Sequence, residues 1–399
     1  MINIYAGIFI TALIIAFVFT PAAIKIAPKI GAIDIPQDSR RAHTKPMPRF
    51  GGMAIYIGTI SGLAIFLHND PKVLGLIVAG TVMYIVGIID DLRDMDAKVK
   101  FLCQIGCALI LYFAGVNISF VRNPFVDGYI FFPWFISLFI TVIWIVGITN
   151  TINLIDGLDG LAAGVSFIAS VCIAYSAFIS RQYTVAAAML AIAGGALGFL
   201  PFNFHPAKIF MGDGGSLFLG FMMAGVSVLG SAKGATLIAT IVPFLVLFIP
   251  IFDTAFAIIR RAASGRPIME ADKGHLHHRI MATGLGQRRT VLILYGISAT
   301  MGVVAILVVK REIFEASILM LVAATFIYLI IEEHANAKIY QRKRARQTVM
   351  LINEGAEIAA HNERKKETAK QKEISNESND GVRNKAGSDQ DGPAGQKTE

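Results

Sequence analysis

The sequence predicts an all-α polytopic integral membrane protein with about 11 transmembrane helices, its N-terminus outside and its C-terminus in the cytoplasm. Three observations predict it. The 399 residues are 55% hydrophobic and only 16% charged, whereas an average soluble domain is closer to 25% charged. The apolar residues gather in eleven runs of about 16 to 22 residues without Asp, Glu, Lys or Arg. Each run reaches or approaches the length that crosses a hydrocarbon core of roughly 30 Å as a helix. Backbone groups in lipid must be bonded within their own segment, which makes these runs helices. A water-soluble globular enzyme, a disordered chain and a disulfide-rich secreted protein are all excluded.

The expected spans are residues 3–24, 51–67, 73–89, 101–116, 129–149, 161–180, 184–201, 214–232, 234–252, 290–309 and 316–331. The first is longer than the apolar core of a signal peptide and has no basic residue before it, so it is expected to stay as a membrane helix. Spans 8 and 9 are split only by Ser231-Ala232-Lys233-Gly234. Lys and Arg set the orientation. With the N-terminus outside, the inner loops hold 17 basic residues against 6 in the outer connections, and the tail adds 13 more inside. The formal net charge of +8 is therefore a topology signal, and no nucleic-acid partner is expected. The three cysteines lie inside apolar runs without His companions, which favours packing over metal or redox chemistry. From about Glu332 the composition turns polar. Residues 1–332 are expected to form the transmembrane domain with cytoplasmic loops, and 333–399 a cytoplasmic tail, helical to about Ile358 and disordered beyond.

The chemically rich motifs all fall at inner loops or inner helix ends. Asp90-Asp91 closes span 3. Adjacent carboxylates repel, and a nearby Mg²⁺ would relieve that; a solvated helix end accounts for the pair as simply. Asn153, Asp156 and Asp159 are spaced by three, which on a helix places them on roughly one face, with Gly157 and Gly160 allowing close approach. Capping of a helix N-terminus explains one of the three, hardly all. Phe210-Met-Gly-Asp213-Gly-Gly-Ser216 reads as a tight turn entering a helix, a place suited to phosphate, where Asp213 can hold a metal. His275, His277, His278 and Arg279 share a loop with Arg260, Arg261, Arg266 and Lys273. Their spacing is not that of a zinc pair, and an anionic substrate such as a pyrophosphate suits them better. Lys45, in a proline-stiffened basic first loop, and Lys100, just before span 4, add to a positive inner surface around the carboxylates. A transporter is expected to carry its polar groups at mid-membrane on broken helices. Here they gather at one interface, as an enzyme joining a cytosolic substrate to a lipid requires.

Asp90-Asp91, Asn153-Leu-Ile-Asp-Gly-Leu-Asp-Gly160, Phe202-Asn-Phe-His-Pro-Ala-Lys-Ile-Phe-Met-Gly-Asp213 and His275-Leu-His-His-Arg279, in this order, resemble the polyprenyl-phosphate N-acetylhexosamine-1-phosphate transferase family (glycosyltransferase family 4). The resemblance covers about residues 1–332. It implies transfer of a sugar 1-phosphate from a UDP-N-acetylhexosamine to undecaprenyl phosphate at the cytoplasmic face of a bacterial membrane, with Mg²⁺ or Mn²⁺ and release of UMP, to start a cell-envelope polymer such as teichoic acid or O-antigen. The partners it implies are the two substrates, the lipid bilayer and a second copy in a homodimer. The branch that transfers phospho-N-acetylmuramoyl-pentapeptide typically has three successive histidines in the last loop. His-Leu-His-His-Arg is similar instead to the branch using UDP-N-acetylglucosamine, as is Arg40-Arg41-Ala-His43. Gly214-Gly215 departs from a commoner Thr-Gly.

Carried over position by position, the resemblance implies that Asp213 is a metal ligand shared with Asn153, that Asp90 deprotonates the lipid phosphate or otherwise assists its attack, and that Asp91 supports the metal or Asp90. It implies that Asp156, Asp159 and Asn203 line the nucleotide-sugar site. Lys45 and Lys100 contact phosphate or organise the carboxylates, and His275, His277, His278 and Arg279 select the sugar and grip the pyrophosphate. The competing readings are the muramoyl-pentapeptide branch, a secondary transporter using the carboxylates as ion sites, and a scaffold whose loops recruit partners.

Overall fold

The computed structural model describes residues 2–35, 46–122, 128–231, 242–264, 280–281 and 285–386. Apart from connections, the described chain is helical with two short antiparallel strand pairs. Its helices are α1 (Ile2–Ile30), α2 (Gly52–Leu67), α3 (Pro71–Arg93), α4 (Ala97–Phe113), α5 (Trp134–Ile155), α6 (Leu161–Ile179), α7 (Tyr183–Asn203), α8 (Gly212–Ser231), α9 (Phe248–Ala263), α10 (Gln287–Lys310) and α11 (Ile313–Ala386). Among the described residues seven helices are long and apolar enough to cross a membrane, and Gly52–Leu67 and Ile313–Phe326 are shorter apolar helices. Large apolar side chains such as Phe113, Trp134, Phe139 and Phe314 stand exposed, as helices facing lipid require. The protein is an all-α polytopic membrane protein.

Local chemistry sets the helix ends that matter. Asp70 starts α3 by accepting from the Lys72 amide at 3.0 Å, with Pro71 at the first position, where its missing N–H costs nothing. α3 ends where Asp94 turns left-handed and returns its amide to the Asp90 carbonyl. Asp96 then starts α4 by accepting from the Lys98 amide at 2.8 Å. The tight α3–α4 connection therefore brings Asp90, Asp91 and Lys100 to one end of the bundle.

The structure corrects several expected boundaries. Residue 129 does not begin a span. Tyr129–Phe131 (β4) pairs antiparallel with Phe120–Arg122 (β3), where Phe120 packs its ring against both Tyr129 and Phe131, and α5 starts only after Pro133. The span expected at 234–252 is not one helix of those bounds. α9 runs on to Ala263 and includes Asp253, Arg260 and Arg261, while 232–241 lies outside the described residues. The chain divides into two units, Met1–Ile331 and Glu332–Glu399. α11 continues past Ile358 to Ala386, through a stretch where Ala, Glu and Lys, strong helix formers, recur; residues 387–399 lie outside the described residues.

α8 is the axis of the first unit. Every residue from Gly214 to Gly230 is buried, and α2, α3, α5 and α7 pack around it. A helix apolar on all sides belongs in such a place. Its N-terminus is reached through glycines. A Cβ on Gly52 of α2 would lie 2.3 Å from the Gly215 nitrogen, and one on Gly87 of α3 would lie 2.5 Å from the Gly214 Cα. Without a hydrophobic drive between helices in lipid, close backbone approach at small residues holds them together. A second hairpin, Ile33–Asp34 (β1) with Met47–Pro48 (β2), leads into α2 and lies beside the same end, since the Phe210 amide donates to the Pro48 carbonyl at 2.8 Å.

Gly52→Ala and Gly87→Ala should each destabilise the fold by about 1–3 kcal/mol through overpacking, read as a lowered melting temperature in detergent. Gly106→Ala, on α4 with nothing within 4 Å of the added carbon, should leave the melting temperature unchanged or raise it.

Candidate active site

Asp213 stands in the first turn of α8, after Gly212, whose φ of 75° gives the chain its sharp entry. Asp91 fixes this turn. Its Oδ1 accepts from the Asp213 amide and its Oδ2 from the Gly214 amide, both at 2.8 Å. Two of the free donors at the helix start are thereby satisfied by a carboxylate, which the helix dipole also favours. Arg49 follows the β1–β2 hairpin, with its amide on the Ala32 carbonyl at 2.9 Å. Its guanidinium forks between two acids, with Nε 2.9 Å from Asp91 Oδ1 and Nη2 2.6 Å from Asp213 Oδ2.

Lys100 comes from the other side. Its Nζ is 2.7 Å from Asp90 Oδ2 and 3.2 Å from Asp213 Oδ1. Asp90 Oδ1 accepts from the Met95 amide at 2.8 Å. From α5, the Asn153 Nδ2 donates to Asp213 Oδ1 and, at 2.8 Å, to Ser216 Oγ. The α3, α4, α5 and α8 ends and the first hairpin thus converge on one carboxylate.

Asn153, Asp156 and Asp159 do not share a helix face. α5 ends at Ile155, Asp156 caps it, and Gly160 in the left-handed region begins α6. The glycines within the motif end the helix that the spacing of three assumed. Asn153 stays on α5 while the two acids sit on the turn beyond it. Asp159 Oδ2 lies 2.7 Å from His205 Nδ1 and accepts from the Ala207 amide at 3.2 Å. Asn203 is buried and its hydrogen bonds go to backbone: Oδ1 accepts from the Gly160 amide and Nδ2 donates to the Ile209 carbonyl, both at 3.0 Å. These bonds make Asn203 a tie between two loops, and Asp91 supports the start of α8. Lys45, His275, His277, His278 and Arg279 lie outside the described residues.

The electrostatics are unequal. Burial lowers the Arg49 pKa, but Asp91, Asp213, Asp156 and Asp90 outweigh it and hold the guanidinium charged. Burial, and then the negative Asp213, hold the Asp156 carboxyl well above the usual carboxylate range, against the pull of Arg49. Asp90, Asp91, Asp156 and Asp213 are four carboxylates facing two cations, Arg49 and Lys100. Fully ionised, the cluster carries two negative charges too many. That charge and the hard oxygen donors fit a divalent cation such as Mg²⁺. Among the described residues no group of three acidic, His or Cys side chains is placed to hold a metal ion; the Asp213 carboxylate meets Asn153, Arg49 and Lys100.

Sequence reasoning gives Ser216 and His205 no role and reads Arg49 only as part of the basic first loop. Arg49 directly precedes Phe50-Gly51-Gly52, and the glycines mark the close contact it enters, but a basic residue in an inner loop reads as a topology signal.

The Asp156 shift makes a pH prediction. A carboxyl whose folded pKa is raised binds its proton more tightly in the folded state, so its stabilising contribution is full below the unfolded pKa and is lost as pH rises through the folded pKa. Without divalent cation, Asp156→Asn should melt higher than the parent protein at pH 8, and the difference should close toward pH 4. Melting curves at both pH values with a chelator present check this.

A family model for glycosyl transferase family 4 matches residues 73–231, which include α3 to α8 and both acidic clusters. The chain is 42% identical over 325 residues to a probable undecaprenyl-phosphate N-acetylglucosaminyl 1-phosphate transferase of Bacillus subtilis, covering 81% of this chain and 90% of that protein. It is 38% identical over 317 residues to a decaprenyl-phosphate N-acetylglucosaminephosphotransferase of Mycobacterium tuberculosis, covering 72% and 78%. It is 31% identical over 330 residues to a phospho-N-acetylmuramoyl-pentapeptide-transferase of Listeria welshimeri, covering 77% and 98%. With its acidic motifs inside the matched segment and relatives aligned over most of its length, the chain belongs to glycosyl transferase family 4.

Proposed function

We propose that the protein transfers N-acetylglucosamine 1-phosphate from UDP-N-acetylglucosamine to undecaprenyl phosphate at the cytoplasmic membrane face, releasing UMP. The observation that carries this reading is the Asp213 carboxylate, held at the start of a buried helix between Arg49, Lys100 and Asn153. Phosphoryl transfer asks the protein mainly for positioning and for charge placed where phosphate oxygens gather. The sugar choice is supported by greater identity to the N-acetylglucosamine-named relatives than to the muramoyl-pentapeptide one. The cytoplasmic face and the outer N-terminus are supported by the Lys and Arg distribution, and the count of about eleven spans by the charge-free apolar runs alone.

In this reading an oxygen of the lipid phosphate attacks the β-phosphorus in line, the bond to the bridging oxygen breaks, and UMP leaves with that oxygen. Direct attack suits an acceptor that is already anionic. Asp90 takes any proton the lipid phosphate still carries. Lys100, which lies between Asp90 and Asp213, and Arg49 offset charge on the two phosphates. Asp91 keeps the α8 start in place. Asp156 and Asp159 face the nucleotide-sugar. Asp213, with Asn153 beside it, would hold Mg²⁺, which would supply stabilisation of the charge on the pyrophosphate and the leaving UMP.

A UMP-release assay in detergent with undecaprenyl phosphate and a panel of UDP-sugars tests the reading. UDP-N-acetylglucosamine should be turned over with Mg²⁺ and not with chelator, UDP-muramoyl-pentapeptide should be left alone, and Asp213→Asn should lose roughly a hundredfold or more. No UMP from UDP-N-acetylglucosamine, or solute flux in proteoliposomes in its place, sinks it. Topology has its own check: single cysteines replacing the exposed Lys98 and His277 should both be labelled from the cytoplasmic side only.

A further inference from the structure

The turn that carries Asp156 and Asp159 is gripped by a residue outside the carboxylate site. Gly160 ends that turn with a φ of 79°. Its amide is taken by Asn203 at 3.0 Å. Its carbonyl already accepts the ordinary helix bond from the Gly164 amide at 2.9 Å, and it accepts a second bond from the Tyr295 hydroxyl of α10. The Tyr295 ring lies directly on α6 at Gly164, where an added Cβ would come within 2.0 Å of ring and hydroxyl atoms. A neighbouring contact ties α10 to the loop after α7: the Arg288 guanidinium stands 5.7 Å from the centre of the Phe204 ring, next to the His205 that pairs with Asp159.

The ring alone accounts for packing on Gly164. The hydroxyl is not needed to satisfy the Gly160 carbonyl, which keeps its helix bond without it. What the hydroxyl adds is a fixed distance between α10 and the peptide at the end of the acidic turn. We propose that Tyr295 is a positioning residue for nucleotide-sugar binding, acting through the Gly160 carbonyl to set where Asp156 and Asp159 stand. The proposal rests on the transferase reading above.

Tyr295→Phe keeps the ring and removes the tie. The expected result is a KM for UDP-N-acetylglucosamine raised about threefold to tenfold, the range of one lost hydrogen bond. kcat, the KM for undecaprenyl phosphate and the melting temperature stay where they are. The effect should shrink in an Asp159→Asn background, because both changes act on one turn. An unchanged KM for the nucleotide-sugar overturns the proposal, and so does a loss shared by both substrates that follows the melting temperature. Hydrogen exchange across residues 156–160 separates this failure from failure of the transferase reading, since it needs no turnover. Exchange should quicken in Tyr295→Phe, and unchanged exchange overturns the proposal even if the parent protein releases no UMP.

Discussion

The structure depends on keeping several negative charges together at the end of a buried helix. α8 is enclosed from Gly214 to Gly230, so its first turn cannot rely on bulk water for its free amides or for Asp213. An uncompensated charge in such a place costs several kcal/mol. Asp91 answers for the amides, Arg49 for Asp91 and Asp213 together, and Lys100 for Asp213 and Asp90. Each partner comes from a different element. The elements must therefore meet at this point for the charges to be tolerated, and the contacts of Gly52 and Gly87 with the α8 backbone show how closely they do. Lys could not replace Arg49 here, since a single ammonium lacks the fork that spans two carboxylates.

Much of this is legible in the amino-acid sequence. Long charge-free runs dictate helices because lipid offers the backbone no partner, and the Gly-Asp-Gly-Gly segment announced a turn into a helix that α8 contains. The misreadings have physical causes. Spacing of three implies one face only while a helix persists, and Asp156-Gly157 is where α5 stops. The Tyr129–Phe131 strand is as apolar as a helix start, and only its pairing with Phe120–Arg122 distinguishes it. Arg49 was hidden because the positive-inside rule explains any basic inner residue equally well. A residue's tertiary partner is not encoded by its own neighbourhood in the chain, and Arg49 and Asp213 are 164 positions apart.

The acids form two groups with different surroundings. Asp90, Asp91 and Asp213 are bound tightly by cations and amides. Asp159 is tied to the loop after α7 through His205 and Ala207, and Asp156 lies between the groups, feeling Asp213, Arg49 and Asp91. A site that must present one anionic substrate to another benefits from such a division. The cation-rich group can receive phosphates, while the acceptor-rich turn can receive hydroxyl and N–H groups of a sugar or base.

Fully ionised, the four acids would exceed Arg49 and Lys100 by two charges, and burial with Asp213 holds Asp156 toward its neutral form. Like charges gathered at one buried point cost stability. Their persistence makes sense if the cluster is built for a state in which positive charge arrives from outside. The shifted Asp156 carboxyl is the trace of that arrangement: burial and Asp213 push it toward its neutral form, and only an added cation would let all four acids ionise together. Stability without ligand and readiness to bind one thus pull against each other at the same carboxylates, as expected where function and not packing has set the residues.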